Sequence, residues 1–407
     1  MKGYFNSNFK KALDWIIPVL FGTCIFSIPT FSFLTTYSIF MWAFTIVLII
    51  LITLDFLVAR KFKFTSITLS YIVFIFSALM SCIFNGFKTF SASVFLNTII
   101  LIMVYSYSVE NKKVIKRMFL FAKIGLVIFA FIFILKYRSE IFSLDFERLG
   151  SKFGDENDIS IILSIGFSIS LMSLLGDKKW YLIIINIFEA LLFFPLSFST
   201  GSKIAFFVSL MVTILFVFLL FGKKWYLSII TIAFVAGVAI FIINLNVFSS
   251  LKQRLDEMLS TLFSLNLSPT ISYSTIGRVG MFQNGISLFL RRPLFGYGPL
   301  GFKTFSTYHN GWSHNHISDS LCNYGLVGTI VYHIPFVIYF ASIVKTKKKN
   351  YTTLVSISFV VSMISIALFR EKIFSYLIGV VFASLDLPSL VLKINKNDGV
   401  KLINENS

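Results

Sequence analysis

Charge is scarce in this sequence: only 13% of its 407 residues are Asp, Glu, Lys or Arg. A soluble chain of this size carries roughly twice that share, so the composition argues against a soluble globular enzyme. Cysteine is scarce too. Cys24, Cys82 and Cys322 lie far apart, which excludes both a disulfide framework and a clustered zinc site. No P-loop, HExxH pair, dinucleotide-binding glycine pattern or nucleophile elbow appears, so nothing signals nucleotide, zinc-protease or serine-hydrolase chemistry. Acidic residues number 18 against 36 basic ones, and the net charge of +18 must be read from its placement before any nucleic acid is invoked.

Apolar residues fill the space. They make up 57% of the chain, fifty of them phenylalanine, and mean hydropathy is +0.85. Runs of spanning length fall at about 14–33, 37–56, 67–84, 90–109, 118–135, 159–175, 180–197, 203–221, 225–244, 325–344, 352–368 and 373–392, which predicts about twelve membrane helices. Pro18 and Pro29 lie in the first, which reads as an anchor and not as a cleaved signal peptide. Basic residues give an independent test, because they collect in short cytoplasmic loops. Lys2, Lys10 and Lys11 open the series, and every second loop continues it, through Lys112, Lys178 and Lys223 to the cluster at 345–349 and the tail. These segments hold 21 of the 36 basic residues, so both termini are expected in the cytoplasm. The expected divisions are a bundle of about nine spans (1–244), an extracytoplasmic loop with short helices (245–324), further membrane helices (325–392) and a cytoplasmic tail (393–407).

The basic residues on the far side run against that bias and point to an anionic ligand there. They include Arg148, Lys203, Arg278, Arg291, Arg292, Lys303, Arg370 and Lys372; for each alone, an interfacial side chain is the plain alternative. The long loop should contain an amphipathic helix near 249–267 and a second helix from Gly277 to Leu290, stopped by Arg291-Arg292-Pro293. Gly296, Gly298 and Gly301 then mark a flexible or tightly turning passage. His309, His314 and His316 cluster before the tenth span. They read as a general acid or base, as plain loop polarity, or as metal ligands, the last weakened by the lack of nearby carboxylates or cysteines beyond Asp319 and Cys322. Arginine suits a diphosphate, since its planar fork donates two parallel hydrogen bonds. Inside the spans, Lys123 and Glu189 either form a structural pair or report an ion route.

Three stretches carry a family resemblance: Gly277-Arg278-Val279, then Arg292-Pro293-Leu294-Phe295-Gly296-Tyr297-Gly298, then Ser313-His314-Asn315-His316. From His314-Asn315, nine residues lead to Gly325, and two more residues lead to Gly328. The sequence resembles the bacterial O-antigen ligases and Wzy-type O-antigen or capsule polymerases. That resemblance implies an all-α polytopic membrane fold of GT-C-like architecture in the bacterial cytoplasmic membrane, with its site on the outer face. It implies metal-independent inverting glycosyl transfer from an undecaprenyl-diphosphate-linked oligosaccharide, with no cofactor and no nucleic acid. His314 takes the role of acceptor base and Arg278 that of the donor-phosphate contact. Lys203, after Thr200-Gly201-Ser202, stands where the family has a second phosphate-binding arginine. Arg148, Arg291, Arg292, Asn315 and His316 are further expected substrate contacts. Polymerase is favoured over ligase, a transporter or flippase is the alternative from another class, and a chain-length regulator and a flippase are the expected protein partners.

Overall fold

The computed structural model describes residues 2–31, 38–59, 61–142, 149, 153, 155–222, 224–244, 252, 273–308, 312–346, 351–385, 389–395 and 399–404. In chain order these form α1 (Lys2–Phe31), α2 (Ser38–Ala59), β1 (Lys61–Thr65), α3 (Ser66–Phe84), α4 (Ala92–Glu110) and α5 (Lys112–Lys136). There follow α6 (Arg138–Phe142), α7 (Glu156–Gly176), α8 (Trp180–Ser199), α9 (Lys203–Phe221) and α10 (Trp225–Ile243). The rest comprises α11 (Tyr273–Arg291), α12 (Gly301–Phe305), α13 (His316–Thr346), α14 (Thr353–Ser362), α15 (Lys372–Ala383), β2 (Ser389–Asn395) and β3 (Gly399–Asn404).

Among the described residues, nine helices are long and apolar enough to cross a membrane: α1 to α5, α7 to α9, and α13. They fall on predicted spans, and the chain is a multi-pass membrane protein. Helix α10 occupies the position of the predicted ninth span. The expected helix at 249–267 lies outside the described residues, apart from Lys252. The helix expected from Gly277 to Leu290 is present as α11 and stops before Pro293.

The last two predicted spans are different. α14 and α15 have 10 and 12 residues, with non-helical chain between them. At 1.5 Å per residue they rise about 15 and 18 Å, against a hydrocarbon core of about 30 Å. Apolar content alone does not separate a full span from a shorter buried hairpin. Irregular backbone at such depth survives only where the protein satisfies it. Here His316 N–H donates to the Met363 carbonyl at 2.9 Å, and Leu368 N–H donates to His316 Nδ1 at 3.0 Å. From α4, the Asn97 amide donates to the carbonyls of Phe369 (3.3 Å) and Arg370 (2.8 Å). A serine seam holds the hairpin to α7: Ser160, Ser164 and Ser168 recur every fourth residue, and Ser168 Oγ meets Ser358 Oγ at 2.6 Å.

The all-α expectation also needs amending. β1, β2 and β3 form an antiparallel sheet in that order, with Lys61 opposite Lys393 and Val391 opposite Ile403. Residues 389–392, read in sequence as the end of a span, belong to β2. Their pairing with β1 and β3 supplies the backbone partners a helix would have supplied. Lys123 and Glu189 pair at 2.9 Å, and Lys123 also donates to Asn186 Oδ1 at 2.6 Å, joining α5 to α8 inside the bundle.

Candidate functional site

The site is built around the turn that precedes α13. Asn315 Oδ1 accepts the Ser318 N–H at 3.0 Å, which caps the new helix, and Ser313 Oγ donates to the Asn315 carbonyl at 2.9 Å. One helical turn on, the buried Asp319 accepts the Ser313 N–H at 3.3 Å. These bonds hold His314 at φ +52°, in the left-handed region that costs a non-glycine residue about 1–3 kcal/mol. The turn therefore gives half-buried His314 a strained backbone within a segment that is otherwise tied down. Asn315, expected to touch substrate, spends its side-chain oxygen as a helix cap.

His316, two residues later, is turned into the core. It is 0% exposed, accepts from Leu368, and lies among Tyr332, His333 and Phe369 with ring centroids 5.0–5.3 Å away. Its expected role in holding the acceptor is corrected: its ring satisfies buried backbone. His309 and Arg148 lie outside the described residues.

Helix α11 brings Arg278 to the turn. It packs on the first turns of α13, where Ser318 Oγ donates to the Phe282 carbonyl at 3.3 Å, and the Asn284 amide donates to Thr307 Oγ1 at 3.1 Å. Arg278 is exposed near the start of this helix, and its charge acts on His314. Burial holds the His314 imidazole below its ordinary value of about 6.5. The charges of Arg278 and Arg370 push the same way, and Asp155 opposes them.

Arg370 was noted in sequence only as a basic residue on the unexpected side. The hairpin tip places its guanidinium 3.8 Å from the Trp312 ring centroid, with Glu371 Oε1 3.5 Å away. Burial raises the Glu371 carboxyl; Arg370 opposes the shift and Asp155 adds to it. Asp155 caps α7 by accepting the Asn157 N–H at 2.7 Å. Asn157 in turn accepts from Ser202 Oγ at 2.9 Å, and that bond brings Thr200-Gly201-Ser202-Lys203 to the same end of the bundle. Thus α7, α9, α11, the 312–315 turn and the hairpin tip converge. Among the described residues, no three His, Cys, Asp or Glu side chains assemble as a metal site.

Arg291 and Arg292 stand apart. Arg291 lies thirteen positions after Arg278 on one helix, about 20 Å along its axis. Arg292 donates to Asn85 Oδ1 and lies 4.8 Å from the Tyr297 ring centroid. The chain after it turns tightly. Gly296 (φ +65°) and Gly298 (φ +96°) let Tyr297 N–H reach the Cys322 carbonyl (3.0 Å) and Gly298 N–H reach that of Asn323 (2.6 Å). These contacts meet α13 at its kink. Gly325 (φ +63°) leaves the helical path there, and Pro293 O accepts the Leu326 N–H at 2.7 Å.

Residues 185–333 match the family model described as O-antigen ligase. The match spans just over a third of the chain, and over that range the sequence is similar to the O-antigen ligases. The matched range contains Lys203, Arg278, Arg291, Arg292, His314 and the kink of α13, while Asp155, Arg370 and Glu371 lie outside it. Enzymes with this domain are glycosyltransferase-like polymerases and ligases of polysaccharide biosynthesis. Comparison with curated proteins finds no match.

Proposed function

We propose that the chain is a polymerase that joins undecaprenyl-diphosphate-linked oligosaccharide repeat units into O-antigen or capsular polysaccharide at the outer face of the bacterial cytoplasmic membrane. The observation that carries this reading is His314. It is presented by a strained, pinned turn, biased toward its neutral form and accompanied by Arg278. Neutral imidazole takes the proton of an acceptor hydroxyl as its oxygen bonds to the anomeric carbon of the donor sugar. The bond from that carbon to the diphosphate oxygen breaks, and its electron pair leaves with the diphosphate. Arg278 and Lys203 stabilise the charge gathering there, and Arg370 adds to the positive field. One displacement inverts the anomeric centre.

The family description favours a second reading, ligation of the glycan to a different lipid acceptor, through the same donor chemistry. Purified protein supplied with a defined lipid-linked repeat decides between them: a polymer ladder supports the polymerase. Transfer only when another acceptor is added favours the ligase, and no covalent product removes both. The proposed sidedness has its own test. Cys24, Cys82 and Cys322 are buried, so an introduced Ser274→Cys should be labelled from outside in spheroplasts over a low background. Labelling only after access to the cytoplasm reverses the topology.

A further inference from the structure

The far end of α11 has a site that the chemistry at His314 does not use. Where α3 ends, Phe84, Arg292, Pro293, Leu294, Phe295 and Gly296 line an open cavity of about 420 Å³. Its wall is apolar, with Phe84 57% and Leu294 61% exposed and the rings of Phe84 and Phe295 5.8 Å apart. Phe84 closes an apolar spanning helix, which puts the cavity at the level where hydrocarbon meets headgroups.

One guanidinium stands in this wall, and it is held. Asn85 donates through Nδ2 to the Ser81 carbonyl at 2.7 Å, so its Oδ1 is turned to receive Arg292, while Tyr297 lies against the guanidinium. Arg292 is thus fixed by a neutral amide and an aromatic ring. Among the described residues no carboxylate pairs with it, and a guanidinium has five N–H donors, of which Asn85 takes few. A positive fork oriented without being neutralised, beside an apolar wall at the membrane interface, complements a phosphate on an isoprenoid chain.

We propose that this cavity binds the diphosphate and first isoprene units of the acceptor lipid. The proposal rests on the polymerase reading. In polymerisation the attacking hydroxyl lies on the lipid-distal end of the acceptor oligosaccharide. The acceptor's own diphosphate must then sit one repeat unit away from His314, while the donor diphosphate leaves beside it. Two diphosphate sites separated by the length of an oligosaccharide are required, and α11 supplies a basic residue near each end, about 20 Å apart. Arg278 serves the donor and Arg292 the acceptor.

The test is native mass spectrometry of the full-length protein in detergent with undecaprenyl diphosphate as the probe. Wild type should hold two lipids per chain. Arg292→Ala should lose one and Arg278→Ala the other, each weakened about tenfold or more, as loss of a charge-assisted contact predicts. Arg292→Gln removes the charge while keeping a polar amide and part of the side chain's length, so it repeats the test if the alanine variant does not fold. An excess of phosphatidylglycerol should leave both lipids in place. A single bound lipid, lost in Arg278→Ala and kept in both Arg292 variants, overturns the acceptor site and leaves the donor reading standing. Two lipids with only the Arg292-dependent one sensitive to mutation strike the donor contact instead. Displacement of the Arg292-dependent lipid by phosphatidylglycerol assigns the cavity to bulk lipid and overturns the proposal.

Discussion

The turn at 313–315 leads into α13, and the passage at 293–298 packs on the kink of the same helix, ten residues beyond Asn315. Both are irregular, both carry residues in left-handed conformation, and both belong to the stretches by which the sequence resembles its family. In the passage the positive-φ residues are glycines, and they serve backbone contact: a Cβ on Gly296 would come within 2.6 Å of the Cys322 carbonyl oxygen. In the turn the positive-φ residue is His314, whose side chain is retained despite the strain. A position that favours glycine yet holds histidine is the contrast on which the proposed role of His314 rests. The comparison also explains the His-Asn, nine residues, Gly, two residues, Gly spacing. His314 is the proposed base, Asn315 caps, Gly325 kinks, and Gly328 packs closely on Ser77 of α3.

The comparison breaks first at the kink. Gly325→Ala places a side chain at φ +63° against the backbone of Leu294 and Phe295. Strain and overpacking together should cost about 2–5 kcal/mol, read as a lower midpoint of thermal unfolding in detergent. An unchanged midpoint means that the passage does not set the geometry of α13. Next in size is Arg278→Ala, expected to weaken binding of undecaprenyl diphosphate about ten- to a hundredfold, with Arg278→Lys losing less because charge survives without the fork. Equal binding by all three proteins removes the donor contact.

A smaller effect sharpens the electrostatics. A base acts in its neutral form, and burial and Arg278 both disfavour the imidazolium of His314. The acid limb of the kcat/KM profile should therefore lie below pH 6.5. Arg278→Gln removes a charge that lowers this pKa, so the limb should move to higher pH in that variant. A limb that does not move uncouples the two residues. Smallest of all, Lys203→Arg should keep or raise turnover, changing it by no more than about 1 kcal/mol, since it adds the planar fork at a site that is already cationic.

Much of this arrangement was legible in the sequence, for identifiable reasons. Apolar length placed the nine long helices, because it reports the solvent and not the neighbours. The same signal failed at 352–392, where helices of 10 and 12 residues and a strand have the composition of full spans. Only the partners at Asn97, His316 and β1 distinguish them. The site shows the same division. His314 and Arg278 were singled out by the family resemblance, whereas His316, two positions on, was expected to contact substrate and the turn sends it into the core. Arg370 carried one sequence signal, a basic residue opposed to the topology bias. Its stacking on Trp312 joins segments nearly sixty residues apart, a contact that no local pattern encodes.

The central claim is that His314 supplies proton transfer while His316 supplies only shape. Its most direct test is the single-turnover rate of glycosyl transfer from a defined undecaprenyl-diphosphate repeat by His314→Asn, with donor occupancy matched to wild type. Asparagine tolerates the left-handed conformation, so the turn should persist and unfolding should be unaltered. The account predicts donor binding close to wild type and transfer slower by roughly 10²–10⁴, the range of a positioned general base. Transfer at the wild-type rate in that variant would contradict it.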